Sequence, residues 1–342
     1  MNFRSDNILG CPTEVLDAMA RVNETPTHPY GNDPVTARLD PLVSAIFEHE
    51  AWVFPVSSGT AANGLALAAI TPPWGAVFCH RLAHMLRDEW CAPEFFSGGA
   101  RLLPTSGAHA KIDPAALDAR IRDTVYAAKP ATVTVTQATE AGTVYQLDEL
   151  RAITDVARRA GLAVHMDGAR FSNAVATLGC SPADLTWRAG VDALALGAAK
   201  NGTMTAEAVV VFRQDLAEQV AHRRKRAGHV SAKMRFLSVQ LEAFFTNDQW
   251  LRNARAANLR ARQLAQGLAG CPGVRVVQPV EANLVFVAFP PALTTTLRAQ
   301  GFEFLDWPSL GEGVVRLVCG FSTAETSVEA MIENVGALSL GS

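Results

Sequence analysis

Through most of the first two hundred residues the chain alternates short β-rich apolar runs with stretches of helical periodicity. Residues 51–56, 76–79, 132–136, 162–166, 191–196 and 208–212 read as strands. Brief apolar runs bounded by turn signals suit strands buried on both faces. Between them Gly59 to Ile70 reads as an Ala- and Leu-rich helix, and Leu147 to Ala160 keeps helical spacing up to Gly161, a suitable C-cap. This alternation predicts an α/β fold, an open and mainly parallel sheet with helices on both faces. From Met234 to about Leu268 the pattern turns to one or two long helices rich in Arg, Ala and Leu. After Cys271-Pro272-Gly273 it changes again, to short strands at 274–277, 283–288 and 314–318 separated by helices near Pro291 to Ala299 and Thr326 to Leu338. The expected organisation is a large domain over 1–250 and a small α+β domain over 251–342, with residues 1–16 a candidate to pack on the small one.

The length of 342 residues fits that division, and 49% hydrophobic against 18% charged residues leaves ample material for a core. A net charge of -3 gives no footprint for nucleic acid or an anionic membrane surface. One basic run, Arg223 to Arg226, stands out inside a helical pattern and reads as a solvated face or a site for a small anion. Six scattered cysteines without a C-x-x-C pair argue against a zinc ribbon or a disulfide framework, and fit a reducing cytoplasm. The N-terminal residues lack an apolar segment of the secretory kind. The longest apolar stretch, near 64–78, is broken by Pro72-Pro73, so a soluble cytoplasmic protein is expected.

Three places carry candidate chemistry, all just past strand ends, where open α/β sheets bind ligands. Asp167 follows Leu-Ala-Val-His-Met, Lys200 follows Ala-Leu-Ala-Leu-Gly-Ala-Ala, and Ser58-Gly59-Thr60 sits between a strand and a helix. Each meets a need of pyridoxal 5'-phosphate (PLP). A carboxylate can keep the pyridine nitrogen protonated, which makes the ring an electron sink. A lysine in an apolar setting can form an imine, and the first turn of a helix offers free N–H groups to a phosphate. Read singly, each has a plainer explanation: a turn residue, a surface lysine, a helix cap. Their weight lies in occurring together and in order.

Phe3-Arg-Ser-Asp-Asn7, Pro29-Tyr-Gly-Asn-Asp-Pro34, Ser58-Gly-Thr-Ala-Ala-Asn63, His84, Asp167-Gly-Ala-Arg170, Lys200-Asn-Gly202 and Arg316-Leu-Val318 together resemble the threonine aldolase family, end to end. Within it, Cys91-Ala-Pro-Glu-Phe-Phe96, Gln137-Ala-Thr-Glu140 and Lys233-Met-Arg-Phe236 are similar to the low-specificity L-threonine and L-phenylserine aldolases. The resemblance implies PLP fold type I, like aspartate aminotransferase: a mainly parallel seven-stranded sheet between helices, with a smaller C-terminal domain. It implies PLP as cofactor and cleavage of L-threonine, L-allo-threonine or L-phenylserine to glycine and an aldehyde. Lys200 would form the Schiff base, Asp167 would pair with the pyridinium, and His84 would stack over the ring near the substrate β-hydroxyl. Ser58, Gly59 and Thr60 would bind the phosphate, with Lys225 and Arg235 reaching one across a subunit interface. Arg170, Arg316 and Ser5 would hold the substrate carboxylate, with Glu140 and Tyr30 also on the substrate side. A homodimer or homotetramer with shared active sites follows from the same resemblance. The chain departs from the pattern at Ala199, where many members carry a hydroxyl, at Thr139-Glu140, where several carry a second histidine, and in the bulk of Arg81 to Arg87.

Other readings compete. The same scaffold supports β-elimination, β-hydroxyaspartate cleavage and racemisation. His80 and His84, with Asp88 and Glu89 beyond, could place metal ligands on one helix face, as in a metal-dependent hydrolase. Arg170 could pair locally with the Asp167 turn. Arg316, in the run Val-Val-Arg-Leu-Val, is a charge that needs a partner if it points inward. Cys91 reads as packing.

Overall fold

The computed structural model describes residues 1–124 and 128–340, so the last two residues of the expected small domain lie outside the described residues. Seven strands form the main sheet: β1 (Trp52–Val56), β2 (Gly75–His80), β3 (Arg101–Thr105), β4 (Lys129–Thr136), β5 (Ala163–Gly168), β6 (Ala193–Leu196) and β7 (Glu207–Val211). Their order is β1-β7-β6-β5-β4-β2-β3. β2, β3, β4, β5 and β6 pair in parallel, whereas β7 runs antiparallel to both β6 and β1. The sheet is therefore mixed, and the expectation of a mainly parallel sheet holds with one reversed strand. Every residue of β2, β6 and β7 is buried, as strands covered on both faces require. The sequence pattern had no strand at Arg101–Thr105; an arginine, a proline and half-exposed leucines obscure β3, which lies at the sheet edge.

A second, antiparallel sheet has the order β10-β11-β9-β8, from β8 (Arg275–Val276), β9 (Leu284–Ala288), β10 (Leu305–Asp306) and β11 (Val314–Val318). Its core joins Val285, Val287, Val315 and Leu317 to one side of the helix Gln249–Ala269, through Leu264 and Leu268. Phe3 belongs to the same cluster: its N–H donates to the Glu303 carbonyl at 2.8 Å, and the Phe3 carbonyl accepts from the Val318 N–H at 2.9 Å. The chain's first residues thus dock on the second sheet, with Phe3 held between Glu303 and Val318.

Because β1, β2, β4, β5 and β6 share one direction, their carboxyl ends open at one edge, and the oppositely running β7 begins there. Ser58, His84, Glu140, Asp167 and Lys200 each lie at or within a few residues of such an end, and Glu207 opens β7. Gly197 lets the exits of β5 and β6 approach: a Cβ there would sit 2.4 Å from the Ala169 carbonyl oxygen.

The basic run is not a uniform solvated face. Arg224 is buried, with its guanidinium 5.9 Å from the Phe54 ring centroid and burial pushing it down to about 10, while Lys225 and Arg226 are exposed. One helix turn points successive residues in different directions, so four adjacent arginines and lysines cannot share a face. Cys91, expected to pack, is exposed, at a left-handed φ of 61° beside the exposed Trp90.

Candidate active site

Lys200, Asp167, His84, Ser58, Gly59 and Thr60 line one cavity of about 330 Å³, within the usual range for small-molecule pockets. Asp167, in β5, is buried; its Oδ1 accepts from the Ala169 N–H at 3.0 Å and its Oδ2 from Asn63 Nδ2 at 3.1 Å. Both donors are neutral, and among the described residues no cation is hydrogen-bonded to this carboxylate. Lys200 follows β6 in a short 3-10 turn, Ala199–Asn201. Glu207 accepts from the Ala198 N–H at 2.6 Å and ties that turn to β7. Burial pushes the Glu207 carboxyl up to about 7, against the Ala198 N–H and Lys200.

Ser58 caps the helix Gly59–Ile70, its Oγ accepting from the Ala61 N–H at 3.2 Å, and a Cβ at Gly59 would meet nothing within 4 Å. Free N–H groups therefore face open space at the first turn, as a phosphate requires. A buried carboxylate lacking a cation, a lysine on the same cavity and this open turn fit PLP.

A second cavity of about 350 Å³ shares His84, Asp167 and Lys200 with the first and adds Ser5, Glu140, Arg170, Trp307 and Arg316. Arg316 projects from β11 with its guanidinium 4.4 Å from the Trp307 ring centroid; one Nη donates to the Arg4 carbonyl at 3.1 Å, and Nε has no partner. Burial pushes it down to about 10. Among the described residues no carboxylate forms an ion pair with it. A half-buried cation of this kind suits an anionic ligand.

Arg170 does not pair with Asp167. It grips Asp6 with two bonds, Nε to Oδ2 at 2.8 Å and Nη2 to Oδ1 at 2.9 Å, while Asn283 donates to Oδ2 at 3.0 Å. Burial alone would raise the Asp6 carboxyl; Arg170 and Lys200 outweigh it and hold it below the usual carboxylate range. Glu140 follows β4, and its Oε1 accepts from the His84 N–H and the Thr136 hydroxyl, each at 2.8 Å. Burial, with Asp167 adding to it, pushes Glu140 up to about 7.

His80 and His84 do not share a helix face. His80 ends β2, and both ring nitrogens are engaged by backbone: Nδ1 accepts from the Leu82 N–H and Nε2 lies 3.2 Å from the Gly107 carbonyl. His84 opens the short helix that follows. Among the described residues no group of three or more His, Cys, Asp or Glu is placed to hold a metal ion. Tyr30, Lys225 and Arg235 line neither cavity. Tyr30 is exposed with Lys225 Nζ 4.9 Å over its ring, and Arg235 lies over Phe236. A cavity of about 520 Å³ between the helices Thr13–Asn23 and Arg235–Phe245 contains none of the candidate residues.

Sequence reasoning assigns no role to Asp6, Asn63 or Glu207. Asn63 and Glu207 carry a legible signal, since each is a polar residue set among apolar ones, Glu207 alone in its strand and Asn63 one turn after Thr60 in an otherwise apolar helix. Glu89 was weighed only as a metal ligand; its partners are His84 and Asn63.

The seven-stranded sheet with a small antiparallel sheet beside it is the architecture of PLP enzymes of fold type I. An aspartate aminotransferase from Rhodobacter sphaeroides shares it, with a TM-score of 0.74 at 18% identity over 100% of this chain and 93% of that one. The chain is a PLP-dependent lyase and belongs to the beta-eliminating lyase family, which it matches over residues 2–290. It is 44% identical over 335 residues to a low specificity L-threonine aldolase of Pseudomonas aeruginosa, covering 97% of this chain and 96% of the relative. A second low specificity L-threonine aldolase, from a Pseudomonas species, is 41% identical over 338 residues, 98% of this chain and 97% of the relative. The solved threonine aldolase of Leishmania major superposes with a TM-score of 0.92 at 27% identity, covering 98% of this chain and 99% of that one. Among the described residues no helix is long and apolar enough to cross a membrane.

Proposed function

We propose that this protein is a PLP-dependent aldolase that cleaves L-β-hydroxy-α-amino acids, including L-threonine, L-allo-threonine and L-phenylserine, to glycine and an aldehyde. The observation that carries this reading is the pair of joined cavities. Lys200 and Asp167 line both, and Arg316, without an ion pair among the described residues, stands in the second. Near full-length identity to two low specificity L-threonine aldolases supports the choice of reaction.

When bound, PLP supplies an electron sink for negative charge at the substrate Cα. Lys200 would be the amine that holds its aldehyde, Asp167 would keep the ring nitrogen protonated, and Ser58, Gly59 and Thr60 would receive the phosphate. Arg316, with Ser5 and Arg170, receives the substrate carboxylate. Arg170 acts while still held by Asp6, which stiffens the guanidinium and leaves less conformational entropy to lose on binding. Cleavage requires the β-hydroxyl to lose a proton as the Cα–Cβ bond breaks, and Cα to gain one afterwards. His84 and Glu140 stand on the substrate side of the cavity for that exchange.

Tyr30, Lys225 and Arg235 serve the cavity of a neighbouring subunit in a dimer or tetramer, Tyr30 toward substrate and the two cations toward phosphate. The contact of Lys225 with Tyr30, and the absence of all three from the lining of this chain's own two cavities, support that role. The chain divides near residue 250 into two domains, in keeping with the separate apolar clusters of the two sheets. A cytoplasmic location goes with this metabolic role.

Incubation of the purified holoenzyme with L-threonine and with L-phenylserine should yield glycine with acetaldehyde and with benzaldehyde. Ammonia and an oxo acid in their place would assign the protein to β-elimination and overturn the aldolase reading.

A further inference from the structure

Four side chains from separate segments form one hydrogen-bonded line across the cavity. His84 Nδ1 lies 2.9 Å from Glu89 Oε1, and that same oxygen accepts from Asn63 Nδ2 at 2.9 Å. Nδ2 donates its second proton to Asp167 Oδ2 at 3.1 Å. Asn63 and Glu89 are buried, and the Glu89 side chain has no exposure at all. An amide nitrogen carries two protons, so Asn63 bonds both carboxylates at once and spaces them.

We infer that Glu89 and Asn63 are positioning residues of the aldolase reaction: Glu89 holds His84 with Nδ1 protonated and Nε2 left for the substrate, and Asn63 keeps Glu89 and Asp167 in register. The inference rests on the proposed function for the role of His84. A carboxylate bonded to one ring nitrogen fixes the tautomer and makes the other nitrogen the site of proton exchange. The charged groups about His84 act in a definite balance. The bond to Glu89 favours the imidazolium most and Asp167 adds to it; burial and Lys200 oppose, and the net direction is upward. Glu140 meets His84 only at its backbone N–H. Asp167 thus does two things in this line. It would pair with the cofactor's ring nitrogen, and through Asn63 it braces the carboxylate that orients His84.

Nitrogen-15 NMR of histidine-labelled wild-type holoenzyme, without substrate, should show His84 as the Nδ1–H tautomer when neutral. An Nε2–H tautomer overturns the inference and leaves the aldolase reading standing, since product analysis tests that separately. In Glu89→Gln, His84 should titrate at lower pH than in the wild type. Retro-aldol kcat should fall by about 10- to 100-fold with KM changed by less than about threefold. Exchange of the glycine Cα proton with deuterated water has no β-hydroxyl to deprotonate, so it should fall by a clearly smaller factor. An unmoved His84 titration with equal loss of both reactions reduces Glu89 to packing. Asn63→Leu should weaken PLP binding, read by equilibrium dialysis, by about tenfold; unchanged affinity removes Asn63 from the proposal. Should Glu89→Gln fail to fold, the wild-type tautomer still decides.

Discussion

The two joined cavities are built by opposite means. The first takes Ser58, Asp167, Lys200 and Glu207 from the ends of four strands of one sheet, so strand register alone brings them together. The second needs Ser5 from the N-terminal segment and Arg316 from the middle of β11, more than three hundred residues later. These meet because Phe3 sits in the small-sheet core and its carbonyl accepts from Val318. Where chemistry is held by sheet register, it tolerates little change. Where it is held by docking of a terminal segment on a second sheet, it can be adjusted for substrate without disturbing the cofactor.

The contrast gives three predictions, in descending size. Lys200→Ala removes the amine of the first cavity, and turnover should drop by at least about a thousandfold in a steady-state aldehyde assay. Turnover near the wild-type rate would break the comparison at its centre. Arg316→Ala touches the second cavity only. It should raise KM by about 10- to 100-fold, the loss expected for charge-assisted hydrogen bonds of ~1.5–3 kcal/mol. PLP affinity should stay within about threefold, because the cofactor contacts lie elsewhere; a matching loss of cofactor would show that the cavities are not separable.

The third and smallest effect concerns stability. The Glu140 carboxyl is raised from 4.5 to about 7 in the folded protein. The native state then holds this proton more tightly than the unfolded chain does. Its ionisation therefore costs nothing below the unfolded value and destabilises the fold increasingly as pH rises toward 7. Glu140→Gln removes that penalty, so the variant should gain on wild type by on the order of 1–2 kcal/mol between pH 4.5 and pH 8. Urea denaturation at the two pH values reads it, and a pH-independent difference would count against a strained carboxyl in the second cavity. Glu207, raised to about 7 in the first cavity, remains in both proteins and does not enter the difference.

Legibility in the sequence followed the same divide. The helix Gly59–Ile70 and the strands around Asp167 and Lys200 were readable because buried parallel strands are unbroken apolar runs whose polar exits stand out. β3 was not, since an edge strand with Arg101 and Pro104 has no such run. The helix-face placement of His80 and His84 failed for a related reason. A spacing of four matches helical periodicity, but His80 ends a strand and a turn intervenes.

What the sequence determined by itself was the polar exits of the buried strands and, through its motifs, the candidate residues for PLP, because backbone periodicity is a local property. What only the tertiary structure decided were the partners: Asp6 for Arg170, Asn63 and Glu89 for Asp167 and His84, and no carboxylate for Arg316 among the described residues. Such pairings depend on which buried groups the packed chain leaves within about 3 Å of one another, and sequence separation carries no record of that distance.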